Sequence, residues 1–234
     1  MPATITTTLN PLQKKQIQSI NADFPTEDAD LFALYEIEGI IRSAAAFLLE
    51  GEYMYECYAF TEPGFRHQGL FTRLLDLAID ELPEDSEFIF YTNKKSLDTL
   101  AALDALGAEL VLEEHMMELD LKSWKSDSSK ASDYAFTVTN ETVDDTLTRL
   151  YSSTHGSVKI SVFASHYYLY GLEIFEEYRG QGYGKALLLQ VISDLISCNP
   201  LPLRLQVSGE NIPAVSLYKK TGFQITETLS GYLY

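Results

Sequence analysis

The chain has 234 residues, 46% of them hydrophobic and 22% charged, and this composition excludes a chain that is disordered throughout. Its formal net charge of −17 argues against nucleic acid as a partner, because lysine and arginine dominate phosphate binding. No apolar run approaches the roughly 18 residues of a membrane span, so no membrane partner is expected either.

Apolar runs broken by glycine and proline predict the elements of the first half. Three strands with turns at Gly39 and Gly51 come first, and a helix with apolar residues about 3.6 positions apart then runs from Gly69 to Pro83. Gly107 takes the position that commonly follows a helix. The predicted order is three strands, a helix, a strand, a helix and a strand, at 31–37, 40–49, 53–60, 70–82, 87–92, 96–106 and 110–121.

A polar, serine-rich stretch at 122–133 follows and is predicted to be a linker. The second half is predicted to hold a helix, two strands, a helix, a strand, a helix and a short terminal strand, at 142–151, 158–164, 167–175, 183–197, 203–207, 212–220 and 232–234. Strands followed by a strand–helix–strand–helix order are typical of an α+β fold with a mixed sheet.

The two halves repeat each other at an offset of 113 residues. Phe65–Gly69 aligns with Tyr178–Gly182, and after an insertion of two residues Leu106–Ala108 aligns with Thr221–Phe223. A repeat in the same order indicates one fold used twice. The expected division is an N-terminal domain, a linker and a C-terminal domain, at 1–121, 122–133 and 134–234.

The junction between a strand and a helix near residue 180 carries three glycines at alternate positions, Gly180, Gly182 and Gly184. Their bare backbone N–H groups and the helix that opens behind them predict an anion site, bracketed by Arg179 and Lys185. The spacing matches neither a Walker A loop nor a Rossmann loop, because arginine, alanine and lysine stand where those motifs need other residues.

The pattern Arg179-x-x-Gly182-x-Gly184 resembles the acetyl-CoA loop of the GNAT (Gcn5-related) N-acetyltransferases. A second signature of that family, an asparagine, a short helix ending in tyrosine and then Gly-Phe, is similar to the run from Asn211 through Tyr218 to Phe223. The resemblance implies two tandem GNAT-like domains, each a mixed, mostly antiparallel sheet flanked by helices.

The resemblance also implies acetyl-CoA as the co-substrate, with no metal. Tyr218 matches the residue that protonates the departing thiolate, and Asn211 matches one that touches the cofactor arm. Ile174 and Phe175 would offer backbone groups to that arm and to the thioester carbonyl. The pyrophosphate would lie on the loop, whose cofactor-binding residues are Arg179, Gly180, Gln181, Gly182, Tyr183, Gly184 and Lys185.

No general base is assigned from the sequence, although Glu173, His166 and His155 are of the right type in the right region. In the first half Ser96 aligns with Asn211 and Leu103 with Tyr218, and leucine cannot donate a proton. Phe71 takes the place of the last loop glycine, where a side chain could crowd a pyrophosphate. These departures favour a degenerate first half over a second working site.

The charge is concentrated in the first half, with a net charge of −14 in residues 1–125 against −3 in residues 126–234. An acidic cleft favours a cationic amine as acceptor, either a small molecule or a peptide. Neither Cys57 nor Cys198 lies in the motifs, so direct transfer of acetyl in a ternary complex is expected.

The rival hypotheses are a CoA- or acyl-CoA-binding regulatory module without turnover and a structural partner protein that binds no CoA. The first residues contain no basic and no apolar segment, and two distant cysteines indicate reduced thiols, so a cytoplasmic protein is expected. The sequence identifies neither the acceptor nor the oligomeric state.

Overall fold

The structure is a computed structural model, and it describes residues 3–125, 135–143 and 146–234. Contacts divide the chain into two compact units. Unit 1 consists of the residues up to Val111 together with Ser230–Tyr234, and unit 2 consists of Leu112–Leu229. No helix of the described residues is long and apolar enough to cross a membrane.

Unit 1 is a mixed sheet with helices on both faces. Its strand order is β1-β2-β3-β4-β5-β12, in which β4 and β5 are parallel and the other pairs are antiparallel. Helix α1 packs on one face, and α2 and α3 pack on the other. The elements are β1 Ala3–Thr6, α1 Pro11–Ile20, β2 Leu31–Ile37, β3 Ile40–Leu49, β4 Met54–Thr61, α2 Leu70–Glu81, β5 Glu87–Thr92, α3 Leu97–Leu106 and the end of β12 (Gln224–Leu233).

Unit 2 has the strand order β12-β6-β11-β10-β9-β8-β7. Strands β10 and β11 are parallel, and β6 is antiparallel to β11. Along the series β7, β8, β9 and β10, each strand is antiparallel to the next. The elements are β6 Glu109–Leu119, β7 Thr137–Val143, β8 Thr146–Ser153, β9 Gly156–Val162, β10 Tyr167–Ile174, α4 Tyr183–Cys198, β11 Leu203–Ser208, α5 Ile212–Lys220 and the first part of β12.

Helix α4 anchors the core of unit 2 because its apolar residues recur at the helical period. The fully buried stripe consists of Leu187, Leu188, Val191, Ile192 and Leu195. Each such side chain contributes about 1.5–3 kcal/mol when it is removed from water. The stripe fixes α4 on the sheet, and it thereby fixes the loop that precedes the helix.

The elements confirm the internal repeat. Strands β4 and β10 have the same length and lie 113 positions apart, and α2 and α4 begin at the same offset. After the two-residue insertion, α3 and α5 begin 115 positions apart, as do β6 and β12. The fold is therefore α+β, with one arrangement of strands and helices used in both halves.

The last strand of each half pairs in the unit built mainly from the other half. Strand β6, which ends the first half, pairs with β11 in unit 2, and Ser230–Leu233 at the end of β12 pair with β5 in unit 1. The division by contacts therefore runs differently from the expected boundaries at 121 and 134.

The beginning of the expected linker packs in unit 2. Leu121 and Trp124 join the core of that unit, and the indole Nε1–H of Trp124 donates to the carbonyl of Thr221 at 3.0 Å. The remainder of the expected linker, 126–133, lies outside the described residues.

Most predicted elements are present within two or three residues of their expected bounds, but the terminal strand predicted at 232–234 already begins at Gln224, and the helix predicted at 142–151 is wrong. Strands β7 and β8 occupy this region. Leu147, Leu150 and Tyr151 suggest a helical spacing, whereas the β-branched Thr146 and Thr148 favour strands, and pairing with β9 decides the outcome.

Strand β1 and helix α1 were not predicted from the sequence. Helix α1 starts with a capping box, in which the Asn10 side chain accepts from the backbone of Gln13 while the Gln13 side chain accepts from the backbone of Asn10. That signal is visible in the sequence. The helix itself is weakly apolar and buries only Ile17 completely, so its periodicity is faint.

Candidate active site

The two parallel strands of unit 2 separate beyond their first residues. Strand β10 pairs with β11 only from Tyr167 to Leu169, whose partners are Leu203 to Leu205. Both strands continue past these pairs, and β10 also carries an irregularity against β9 between Tyr170 and Glu173. A V-shaped opening with unpaired strand edges results.

The end of β10 is held against β9 by a close backbone approach at Gly156. A Cβ on this residue would overlap the carbonyl oxygen of Glu173 and lie 2.9 Å from the Cα of Ile174. Only glycine fits this position. Gly156 thereby fixes the position of the end of β10, the side of the opening on which Ile174 lies.

We expect Gly156→Ala to destabilise the chain by about 2 kcal/mol or more, because backbone atoms cannot yield as a flexible side chain would. Denaturation in urea measures the change. Gly64→Ala is the matched control, since a Cβ there meets nothing within 4 Å, and its effect should stay within about 1 kcal/mol. Equal effects of the two substitutions would contradict the steric argument.

The loop before α4 needs glycine for its backbone angles. Gly180 has φ +72° and Gly182 has φ +89°, in the left-handed region that side chains disfavour. Gly182 is the N-cap residue of α4, no side chain caps the helix, and the first intrahelical bond is that of the Ala186 N–H to the Gly182 carbonyl at 3.1 Å. The first turn therefore turns its N–H groups and the positive end of the helix dipole toward the loop.

Two side chains stabilise the loop before α4 through hydrogen bonds to backbone carbonyls. The Arg179 Nε–H donates to the carbonyl of Ile174 at 2.9 Å, and the Gln181 amide donates to the carbonyl of Glu177 at 2.8 Å. Within the described residues neither Arg179 nor Lys185 makes an ion pair. Two uncompensated cations therefore flank an uncapped helix N-terminus, which is an arrangement suited to a diphosphate.

Ile174 and Phe175 differ in the direction of their backbone groups. The Phe175 N–H donates to the carbonyl of His155 at 3.0 Å and so points toward β9. Because successive residues of a strand point to opposite sides, the Ile174 N–H faces the open side of the V. Ile174 is therefore the residue that can offer an N–H to a ligand in the opening, and Phe175 offers none.

Asn211 has a structural role that the resemblance did not imply. It is the N-cap of α5, and its side-chain oxygen accepts from the Ala214 N–H at 3.2 Å. Ser96 caps α3 of unit 1 in the same way, with the Thr99 N–H as donor at 3.2 Å. Capping holds the start of α5 beside the opening, and the exposed Asn211 stands at that start.

Tyr218 is 6% exposed and packs in the core of unit 2, with its ring 5.5 Å from that of Phe223. Its hydroxyl has no hydrogen-bond partner among the described residues. Burial raises the pKa of Tyr218 to about 12, so the hydroxyl stays protonated at neutral pH. The preceding Leu217 lies close to Gly184, which brings α5 to the first turn of α4.

The three candidate bases lie in different places. His166 precedes the far end of β10 and is separated from Ile174 by eight positions of chain, about 25 Å along a strand. His155 stacks on Tyr183 at 4.0 Å beside the loop. Glu173 is exposed near the end of β10. The structure thus separates His166 from the opening and leaves His155 and Glu173 beside it.

One histidine near the other arm of the opening was missed. His115 on β6 pairs with Val207, and its ring contacts Thr228 at 2.9 Å and Glu113 at 3.5 Å. His115 falls within the N-terminal domain expected at 1–121, and the linear sequence carries no sign of its approach to β11. The exchange of final strands places it in unit 2.

The corresponding loop of unit 1 has the same framework. Arg66 donates to the carbonyl of Thr61 at 3.1 Å, the counterpart of the bond from Arg179, and His67 and Gly69 have φ +59° and +71°. Phe71 packs against the ring of Phe90 at 5.9 Å. It therefore lies in the core and does not crowd the loop, contrary to the expectation.

The loops before α2 and α4 differ instead in their charge and in the hydroxyl available beside them. Arg66 pairs with Asp98 on the first turn of α3 at 2.7 Å, and the same carboxylate lies 3.8 Å from His67. The residue that takes the place of Asp98 in unit 2 is Pro213, which carries no charge. Leu103 fills the place of Tyr218 and is buried. Unit 1 therefore supplies its own counter-ion and has no hydroxyl at this position.

Comparison with known proteins shows which family model and which solved structures this chain resembles. Residues 142–223 match the model of the acetyltransferase (GNAT) family. A GCN5-related N-acetyltransferase from Sphaerobacter thermophilus superposes with a TM-score of 0.57 at 14% identity, covering 94% of this chain and 84% of the other. No curated protein matches the sequence significantly.

Two further solved structures share the fold over most of the chain. A tandem GNAT protein from the clavulanic acid biosynthesis pathway has a TM-score of 0.54 at 13% identity, covering 87% of this chain and 82% of the other. A GNAT-family acetyltransferase from Colwellia psychrerythraea has a TM-score of 0.51 at 12% identity, with 99% of both chains covered.

Proposed function

We propose, from the match of residues 142–223 to the acetyltransferase (GNAT) family, that unit 2 transfers an acetyl group from acetyl-CoA directly to an amine. One observation carries the proposal. The N-terminus of α4, which has no side-chain cap among the described residues, lies beside the opening between β10 and β11, with Arg179 and Lys185, two cations that make no ion pair there. A diphosphate on the loop would place an extended arm along that opening.

Different residues of the chain bind different parts of acetyl-CoA in this proposal. The backbone N–H groups of the loop and the first turn of α4 hold the pyrophosphate, and Arg179 and Lys185 add charge to it. The Ile174 N–H donates to the thioester carbonyl, where negative charge develops as the amine attacks. Asn211 at the start of α5 contacts the arm from the other side.

The thioester supplies an activated acetyl group, and Tyr218 completes the transfer. A C–N bond forms, the C–S bond breaks, and the Tyr218 hydroxyl donates its proton to the departing sulfur. The acceptor first gives one proton of its ammonium group to bulk water and attacks as the neutral amine, and the second proton that the nitrogen loses on forming the amide restores the Tyr218 hydroxyl. A pKa of about 12 keeps this hydroxyl protonated and available as a donor at neutral pH.

The acceptor in this proposal is a cationic amine, either a small molecule or a peptide. The net charge of −17 attracts cations and disfavours polyanions. Neither cysteine serves as a covalent acetyl carrier, because the Cys57 thiol is buried with its pKa raised by desolvation and Cys198 lies at the far end of α4 from the loop. Direct attack by the amine follows.

A free-thiol assay with acetyl-CoA and a panel of primary amines tests the proposal. We expect thiol release that depends on a primary amine and does not occur with tertiary amines matched in charge, since these cannot form a stable amide. Binding of CoA without thiol release for any amine would favour the regulatory module instead.

Unit 1 is proposed to bind no CoA. Asp98 forms an ion pair with Arg66, the cation that would otherwise contact a phosphate. The negative charge of Asp98 also repels a phosphate at the start of α2. Buried Leu103 provides no acid. The two units therefore share the geometry of the loop, whereas CoA binding and acetyl transfer are expected only in unit 2.

A pair of matched substitutions tests this assignment. We expect Arg179→Gln to weaken CoA binding about tenfold, because a charge-assisted contact to the pyrophosphate is lost. Arg66→Gln is the control, since it removes the same kind of loop brace in unit 1, and it should leave affinity unchanged. Equilibrium dialysis measures both, and a larger loss in Arg66→Gln would contradict the assignment.

A further inference from the structure

Three aromatic side chains meet beside the loop before α4, and we call this group the aromatic clamp: His155, Tyr178 and Tyr183. The imidazole of His155 stacks on the ring of Tyr183, with the ring centroids 4.0 Å apart and the planes 11° from parallel. The rings of His155 and Tyr178 meet edge to face at 4.6 Å, and the two tyrosine rings meet in the same way at 5.7 Å. Each ring of the clamp therefore contacts the other two.

The aromatic clamp joins the two ends of the loop. Tyr178 is the last residue of a short 3₁₀ turn, and Tyr183 is the first residue of α4. Between them lie only the residues 179–182, whose backbone N–H groups are proposed to face a diphosphate. Ring contacts between the residue before the loop and the residue after it fix the separation of the two ends.

His155 has a fixed place because its backbone is bonded on both sides. Its carbonyl accepts from the Phe175 N–H at 3.0 Å, and its own N–H donates to the hydroxyl of Ser153 at 3.2 Å. The next residue is Gly156, which approaches the end of β10 so closely that only glycine fits. The half-buried ring of His155 therefore connects the loop to the start of β9.

Unit 1 has the same backbone framework at this place but different side chains. Arg42 lies 113 positions before His155, and its carbonyl accepts from the Glu62 N–H at 2.8 Å. The guanidinium carbon of Arg42 lies 4.8 Å from the centroid of the Phe65 ring. The first residue of α2 is Leu70, so ring contacts cannot join the two ends of that loop. The ring bridge across the loop is therefore a difference between the two units.

We infer that His155 is a positioning residue that orders the loop before α4 for a diphosphate, acting through its ring contacts with Tyr178 and Tyr183 and not as a base. The identity of the ligand rests on the proposed function, whereas the order of the ligand-free loop does not depend on it. A loop that is ordered before the ligand arrives spares the complex the entropic cost of ordering it, and the affinity rises accordingly. Without the ring of His155, that cost falls on the binding of CoA.

Hydrogen exchange of the ligand-free full chain tests the order of the loop directly. The Tyr178 N–H donates to the Phe175 carbonyl at 2.9 Å, and its counterpart in unit 1, the Phe65 N–H, donates to the Glu62 carbonyl at 2.8 Å. We expect His155→Ala to accelerate exchange of the Tyr178 amide about tenfold and to leave exchange of the Phe65 amide unchanged. His155→Phe should restore slow exchange, because phenylalanine keeps a flat ring that can stack.

Equilibrium dialysis with CoA and steady-state thiol release from acetyl-CoA measure the consequence for binding. We expect His155→Ala to weaken CoA binding about tenfold and to leave kcat at saturating acetyl-CoA within about twofold, because Tyr218 is unchanged. His155→Phe should again resemble the wild-type chain. Arg42→Ala is the matched control, since it removes the counterpart side chain in unit 1, and it should leave the affinity for CoA unchanged.

A second variant keeps the test decisive if His155→Ala fails to fold. Tyr183→Leu places at the start of α4 the residue that unit 1 carries at the start of α2, and it should reproduce both effects of His155→Ala. Unchanged exchange or unchanged CoA affinity in these variants would overturn the inference, and so would a His155→Phe variant as impaired as His155→Ala. If the wild-type chain binds no CoA, the proposed function fails, and the exchange rates alone decide whether His155 orders the loop.

Discussion

Replacing Tyr218 by phenylalanine is expected to lower kcat about 100-fold and to leave the affinity for acetyl-CoA nearly unchanged, since a positioned general acid contributes about 10²–10⁴ in rate. The ring stays in the core beside Phe223, so only the hydroxyl is removed. Because that hydroxyl has no protein partner among the described residues, no buried donor or acceptor is orphaned. Steady-state thiol release and CoA dialysis measure the two quantities.

Tyr151 supplies the matched control. It is also buried in unit 2, but its hydroxyl donates to Asp194 at 2.6 Å on the far part of α4. Tyr151→Phe should lower stability by about 1 kcal/mol through that lost bond and leave kcat within about twofold. If Tyr218→Phe keeps wild-type turnover, the acid in this account is misassigned. The pH profile adds a check, because a pKa of about 12 predicts no alkaline decline from Tyr218 below about pH 11.

Gly182→Val is expected to weaken CoA binding about 100-fold or more, because a β-branched residue cannot hold the left-handed backbone that aims the helix N-terminus at the loop. Gly182 has φ +89° and no neighbour within 4 Å of a Cβ, so the effect comes from backbone angle rather than crowding. Loss of the CoA-induced shift in melting temperature measures it.

Gly69 is the counterpart control in unit 1, where it caps α2 with φ +71°. Gly69→Val carries the same backbone cost of about 1–2 kcal/mol, and the ligand-free melting temperatures of the two variants should fall alike. Only Gly182→Val should lose the response to CoA. If the response is lost in Gly69→Val and kept in Gly182→Val, the working loop is in unit 1.

The loop and its surroundings were predictable from the sequence because they depend on local chemistry. Gly180 and Gly182 need positive φ, Gly184 lies in the first turn of a helix with a strong apolar stripe, and Asn211 and Gly222 bracket a short helix. The internal repeat strengthened each of these assignments. The fold class and the order of most elements followed from the same signals.

Other features depend on long-range pairing, which the linear sequence does not encode. The exchange of β6 and β12 between the units brings His115 to β11, and the salt bridge of Arg66 with Asp98 joins residues 32 positions apart. Strand β8 contains a helix-like spacing that pairing with β9 overrides. The sequence left open that Phe71 could crowd the loop, because its contact with the ring of Phe90 joins residues far apart in the chain.

The difference between the two loops therefore lies outside the glycine motif itself. Shared backbone angles and shared arginine braces give both units the same framework. What distinguishes them is a counter-ion on the following helix and one hydroxyl, Asp98 and Tyr218. Under the proposed function, these two side chains are what would leave unit 1 without a working site while its architecture is kept.

Titration calorimetry of the full chain with acetyl-CoA tests the central claim, that the loop before α4 grips the diphosphate. The account predicts one binding site per chain, with heat that disappears in Gly182→Val and persists in Gly69→Val. No heat with the wild-type chain, or two equivalent sites, would contradict it.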